Sequence, residues 1–261
     1  MPKIVVITGA SGGIGLAACK EFISRGDKVY GLCRKPFELE GSTFISCDVC
    51  DKDNVVSAIG TILEKEQSID VLISNAGFGI AGAVEFTSVE DIKRQFDVNV
   101  TGTVNVISAV LPSMRHAKSG AIIITSSLSA ILPIPFQAFY SMSKAALNAL
   151  ALSLRNEVRS HNIRVCALMP GDIKTGFTAA RTKEMNGADA YPAMKHSISV
   201  MEHDEQNGMS PSHIASKLVR ISNKAHPRPL YTSGAKYHLF AFLSRILPNR
   251  LVCWILGKLY S

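Results

Sequence analysis

Residues 3–15 read KIVVITGASGGIG. The apolar run KIVVIT has no polar alternation, as in a strand buried on both faces. It stops at a Thr-Gly pair, glycines follow at positions 9, 13 and 15, and residues 16–26, LAACKEFISRG, resume with helical spacing. Glycines at such a turn allow a tight bend and a close approach of backbone to ligand. The helix behind them offers unpaired N–H groups and its positive dipole end to a phosphate. A glycine-rich turn alone is weak evidence, and a plain strand-to-helix turn is the alternative; the strand before it and the helix after it give the phosphate reading weight.

The pattern repeats along the chain. Strand-like runs stand at 28–33 (KVYGLC), 42–47 (STFISC), 70–74 (DVLIS), 120–126 (GAIIITS) and 163–169 (IRVCALM), with helical stretches at 13–25, 51–67, 88–115 and 137–160. A further helix at 211–224 leads to a short strand near 229–233. Short buried strands separated by helices predict a doubly wound α/β fold with a parallel sheet and right-handed crossovers. No repeat, low-complexity linker or composition shift divides residues 1–235, so one domain is expected there, followed by an extension over 236–261.

At 261 residues and 47% hydrophobic content the chain can bury a full core. Its first ten residues, MPKIVVITGA, lack the long apolar region and cleavage site of a secretory signal, so a cytoplasmic protein is expected. Among six cysteines the one close pair is Cys47 and Cys50, with neither a second CxxC nor a nearby His. The expectation is ordinary buried thiols and no metal. The net charge of +7 is local: after Glu205 come eight cations, from Lys217 to Lys258, and no carboxylate side chain.

Residues 139–147, FYSMSKAAL, place Tyr140 and Lys144 one helical turn apart on one face. Such a pair can do chemistry, or it can cover apolar surface with its tips in water. Other residues join it. The spacing Gly9-x₃-Gly13-x-Gly15 is similar to the TGxxxGxG signature of the short-chain dehydrogenase/reductase family, and further matches follow in that family's order. Asp48 resembles its adenine-contacting acid, and Asn75-Ala76-Gly77 its NAG motif. Asn99, Ser127, Tyr140 and Lys144 resemble its catalytic tetrad, and Pro170-Gly171 with Thr175 its PGxxxT segment.

The resemblance covers about residues 3–235. It implies a Rossmann-type sheet of about seven strands in the order 3-2-1-4-5-6-7 with helices on both faces. It implies a nicotinamide cofactor held by Gly9, Ser11, Gly13, Ile14, Gly15, Arg34, Asp48, Val49, Asn75, Ala76, Gly77, Tyr140, Lys144, Pro170, Gly171, Ile173 and Thr175. Where an NAD-using fold places a ribose-binding acid, this chain has Cys33, and Arg34 comes next. A guanidinium there suits a 2′-phosphate, so NADP(H) is preferred, with NAD(H) the alternative. Gly12 stands where many NADP-dependent relatives carry a second basic residue, and Arg34-Lys35 as a solvated loop is the bland reading.

Hydride transfer to a carbonyl carbon requires a proton on its oxygen, and a free Tyr, with a pKa of about 10, needs help to trade one at neutral pH. The Lys144 ammonium is expected to lower the Tyr140 pKa, and the resemblance adds binding of the nicotinamide ribose. Ser127 is expected to hold the substrate oxygen, and Asn99, at an irregularity in the 88–115 helix, to anchor a water. Taken singly, Asn99 reads as a helix-kink residue and Ser127 as a strand-end hydroxyl.

Residues 172–210 are expected to form a lid, with Phe177, Met185, Tyr191, Met194, Met201 and Met209 either shaping an apolar pocket or packing the lid onto the body. LPIPFQAFYSMSKAAL and PGDIKTGF look like the 17β-hydroxysteroid and retinol dehydrogenase branch, which implies a hydrophobic, steroid-like ketone or alcohol. Residues 238–261 carry two apolar blocks around Pro248, too short for a membrane span, with interleaved cations. They suit contact with a membrane surface, a cover over the lid, or a subunit contact; nucleic acid is not an expected partner. A homodimer or homotetramer through the 88–115 and 137–160 helices is implied by the resemblance. A dinucleotide-sensing regulator on the same fold is the rival reading.

Overall fold

The computed structural model describes residues 2–260. In chain order the elements are β1 (Ile4–Thr8), α1 (Gly13–Ile23), β2 (Lys28–Cys33), β3 (Ser42–Ser46), α2 (Lys52–Glu66), β4 (Val71–Ser74), β5 (Ile80–Ala81), α3 (Val89–Phe96) and α4 (Gly102–Ala117). There follow β6 (Gly120–Thr125), α5 (Ala138–Glu157), β7 (Ile163–Pro170), α6 (Phe177–Ala180), β8 (Thr182–Lys183), α7 (Ala193–Gln206) and α8 (Pro211–Ser222). The last three are β9 (Leu230–Ser233), α9 (Ala235–Ile246) and α10 (Asn249–Tyr260).

Seven strands form one parallel sheet in the order β3-β2-β1-β4-β6-β7-β9, with Val5 level with Val29 on one side and Val71 on the other. Leaving out the two-residue β5 and β8, which pair only with each other, this is the expected order. Side chains alternate across the sheet. Ile4, Val6, Ile122 and Ile124 face α2, α4 and α5, where Ile59, Val110 and Leu147 meet them. Val5, Ile7 and Ile123 face α1 and α8, where Phe22, Ile214 and Leu218 complete the second core layer. Both layers are dry, which explains why the strands read as unbroken apolar runs.

Local chemistry sets the helix ends. Asp51 caps α2 by accepting from the backbone N–H groups of Asp53 and Asn54, each at 3.0 Å. Ser210 caps α8, with Pro211 at its first turn. Between α3 and α4 the irregularity expected at Asn99 in the 88–115 helix is a π-turn at Asp97–Thr101, with Asn99 inside it.

The six apolar residues expected to line a lid divide. Phe177 and Met201 face the central cavity, whereas Met194 is packed with Ala81, Ala83 and Ile198, and Met209 against the sheet core. Met185 and Tyr191 are exposed. All six cysteines are free; Cys50 and Cys253 are exposed, which corrects the expectation that every thiol is buried. No group of His, Cys, Asp and Glu able to hold a metal occurs among the described residues. Among them, too, no helix is long and apolar enough to cross a membrane.

Candidate active site

The strand order reverses beside β1, where β1 and β4 run in parallel and their crossovers leave in opposite directions; ligands of doubly wound sheets settle in the crevice at such a point. Gly9 holds φ at 66° and donates its N–H to the Leu32 carbonyl at 2.9 Å. A Cβ on Gly15 would sit 2.2 Å from the Gly9 carbonyl oxygen, so the turn closes only without one. The Thr8 hydroxyl accepts from the backbone N–H groups of Asn75 and Ala76, each at 2.9 Å, and the Asn75 amide donates to the Thr8 carbonyl at 3.2 Å. These bonds lock the glycine turn to the chain leaving β4. Helix α1 begins after Gly12 with no side-chain cap, which leaves its first-turn N–H groups to an anion.

One continuous cavity of about 1210 Å³ starts at this turn. Small-molecule pockets run roughly 300–1,000 Å³, and this cavity exceeds that range. Gly9, Ser11, Gly13 and Ile14 line the end at the glycine turn, and Arg34, Asp48 and Val49 the region beyond β2 and β3. Asn75, Ala76 and Gly77 line the middle, and Pro170, Gly171, Ile173 and Thr175 the opposing wall. The Thr175 methyl lies 3.3 Å from where a Gly13 Cβ would stand, so the segment after β7 reaches across to the glycine turn. Ser127, Tyr140 and Lys144 line the far part. Gly15 and Asn99 do not line the cavity; both lie behind its wall.

Tyr140 and Lys144 rise from the same face of α5, with the Lys144 Nζ 5.7 Å from the Tyr140 ring centroid. Burial dominates both groups. It pushes the Tyr140 phenol up to about 12, opposed by a hydrogen bond with Ser127, and pulls Lys144 down to about 8. The phenol therefore stands above its ordinary value, against the lowering expected from Lys144, whose ammonium donates to the Thr125 carbonyl at 2.9 Å. At neutral pH the phenol keeps its proton and the amine keeps its charge.

Asn99 is fully buried. Its amide oxygen accepts from the Phe78 N–H and its amide nitrogen donates to the Phe78 carbonyl and the Ser143 hydroxyl, all at 3.0 Å. The π-turn aims this side chain at the 77–78 backbone, and a Cβ on Gly77 would stand 3.0 Å from Asn99 Oδ1 and 3.6 Å from Lys144 Nζ.

Sequence reasoning missed Thr8, whose hydroxyl binds the two strands' ends, and Ser143, which fixes Asn99. It missed the buried Arg181–Glu205 ion pair with Thr178, which donates to Glu205 at 2.6 Å. That pair ties α6 to α7 and seats Phe177 at 5.7 Å, centroid to centroid, from Tyr140. It also missed Tyr237, whose ring fills the space a side chain at Gly171 would need and whose hydroxyl donates to Asp172 at 2.6 Å. The glycine at 171 was the available signal, since a position without a side chain leaves room for a large neighbour.

Residues 3–186 match the family described as short chain dehydrogenase. The 3-ketodihydrosphingosine reductase of Bacteroides thetaiotaomicron is 36% identical, covering 100% of this chain and 98% of its own. A short-chain dehydrogenase from Streptomyces avermitilis superposes with a TM-score of 0.86 at 26% identity, over 94% of each chain. ElxO with NADP bound superposes with a TM-score of 0.75 at 25% identity, over 92% of this chain and 100% of its own. On the family match, the relatives and the fold together, this chain belongs to the short-chain dehydrogenase/reductase family and is an oxidoreductase acting on CH–OH or keto groups.

Proposed function

We propose that the protein is an NADP(H)-dependent reductase of a hydrophobic ketone, with Tyr140 as proton donor. The observation that carries the reading is the single cavity joining an uncapped, glycine-formed helix start to a buried, protonated Tyr140 beside Ser127. The glycine turn and the first turn of α1 suit a pyrophosphate, and Arg34, exposed at the cavity's edge, suits a 2′-phosphate. The neighbour solved with NADP bound supports the same preference. When bound, the nicotinamide supplies hydride to the carbonyl carbon.

The chain's own residues do the rest. Ser127 donates a hydrogen bond to the substrate oxygen and fixes it next to the phenol. Tyr140 gives that oxygen its proton, and the raised phenol pKa keeps the proton available at pH 7. Lys144 places a positive charge where negative charge develops. Asn99 positions the Gly77–Phe78 backbone in front of Lys144.

A long-chain ketone ranks above a steroid as substrate. The family match ends at residue 186, whereas the relative named for reducing 3-ketodihydrosphingosine aligns over the whole chain. The far end of the cavity is walled by aliphatic residues of α9, α10 and their joint, such as Leu243, Leu256 and Leu247, which suit a flexible hydrocarbon. Domain limits of 1–235 and 236–261, with 172–210 as the lid, complete the proposal, although Tyr237 joins the extension to the body. Exposed Val104, Met142 and Leu152 on α4 and α5 support a homo-oligomer through those helices.

The test is turnover with NADPH and NADH on a panel of long-chain ketones, ketosteroids, retinal and small ketones. Consumption of NADPH with a long-chain ketone, faster than with NADH, is expected. Equal use of both cofactors, or preference for the ketosteroids, would overturn the corresponding part.

A further inference from the structure

Helices α9 and α10, joined at Leu247 and Pro248, have two apolar faces each put to a different use. Leu243, Leu247, Val252 and Leu256 look into the cavity. Leu239, Phe242, Ile246 and Trp254 do not line it, and Phe242 and Ile246 are each 59% exposed and Trp254 61%. Positions 239, 242 and 246 share one face of α9 by helical spacing. No residue of α10 is fully buried. Single exposed apolar residues are ordinary, but several large ones on adjacent helices mark a surface that something else covers.

The charge pattern selects what covers it. Arg245, Arg250 and Lys258 are exposed among these apolar residues and form no ion pair among the described residues. No Asp or Glu side chain occurs after Glu205. A second copy of this chain meeting the face through a two-fold axis would set cations against cations with no carboxylate from either segment. An anionic bilayer offers hydrocarbon to the aromatic and aliphatic residues and phosphates to the cations.

We infer that α9 and α10 dock this protein on an anionic lipid bilayer, with Phe242, Ile246 and Trp254 at the headgroup boundary. Docking in this orientation sets the leucine-walled end of the cavity beside the lipid. The use of that end by a hydrophobic substrate rests on the function proposed above, whereas the docking does not.

Trp254 is the chain's single tryptophan, so its emission reports this face alone. The experiment mixes the full chain with phosphatidylcholine vesicles made with and without phosphatidylglycerol, and follows Trp254 emission and co-sedimentation. A blue shift and sedimentation with the anionic vesicles, both reversed by high salt, are expected. The triple variant Arg245→Gln, Arg250→Gln, Lys258→Gln should partition about a hundredfold less, at roughly a factor of five per cation. The double variant Phe242→Ser, Ile246→Ser should also lose binding while keeping its circular dichroism spectrum and its reduction of a small soluble ketone. Absence of binding to anionic vesicles, or binding that the triple variant leaves unchanged, would overturn the inference. So would self-association through this face, abolished by the double variant, in a chain that ignores vesicles. Vesicle binding by a chain that reduces no ketone would uphold the docking and overturn only the functional reading.

Discussion

At the scale of single residues, burial decides the ionisation of Tyr140 and Lys144. Lys144 falls from its ordinary 10.5 to about 8 because its ammonium is enclosed. A native state that sheds its proton at about 8 while the unfolded chain holds it to 10.5 gains stability as pH rises between those values, and carries the burial penalty below them. The shift corresponds to about 3 kcal/mol. Lys144→Met is therefore expected to be more stable than the parent at pH 7 and to lack the parent's rise in stability toward pH 10, while losing turnover. Urea unfolding of both proteins at several pH values checks this, and a less stable variant with the parent's pH slope would contradict it. Arg34 lines the other end of the cavity, where the proposed function gives it the 2′-phosphate. A charge-assisted hydrogen bond contributes about 1.5–3 kcal/mol, so Arg34→Ala should weaken NADPH binding about 10- to 150-fold and leave NADH nearly untouched. Fluorescence titration with the two cofactors measures the difference, and equal losses would contradict the assignment.

At the scale of elements, the seven sheet strands and five long helices were legible because each carries a periodicity that one or two buried faces impose. The irregularity expected at Asn99 in the 88–115 helix takes a form that periodicity does not specify. Periodicity reports which residues face the core, and the π-turn at Asp97–Thr101 leaves it almost undisturbed while redirecting one side chain. Asn99 is the residue redirected, and replacing it exposes the dependence: in Asn99→Ala the half-buried Phe78 N–H loses its acceptor, though its carbonyl keeps Gln95 at 3.0 Å. The expected cost is about 2 kcal/mol, read as a lower urea midpoint with an unchanged slope. An unaltered midpoint would mean that the π-turn does not need its asparagine. The β5–β8 ladder was not legible, since two residues carry no period. Nor was Phe136, which holds φ at 59° in the loop before α5 while its carbonyl accepts from Gly82 N–H at 2.9 Å and its ring meets Tyr191. Only tertiary contacts keep a bulky side chain in that conformation.

At the scale of the whole molecule, the motif residues are spread from position 9 to 175, and the fold brings all but two of the expected site residues onto one cavity. Motif order gave their identity, and the parallel sheet gives their convergence, because every contributing loop leaves the C-terminal edge of its strand. The opposite end of the cavity could not be read in advance. Its walls come from α9 and α10, where apolar spacing marked amphipathic helices without saying which face turns inward. The central claim is that Tyr140 delivers the proton that completes ketone reduction. Its most direct test is single-turnover reduction of a long-chain ketone by NADPH-loaded parent and Tyr140→Phe proteins, with NADPH binding titrated in parallel. The account predicts NADPH affinity within about twofold and a transfer rate lower by about 10²–10⁴-fold. A Tyr140→Phe protein that transfers hydride at the parent's rate would contradict it.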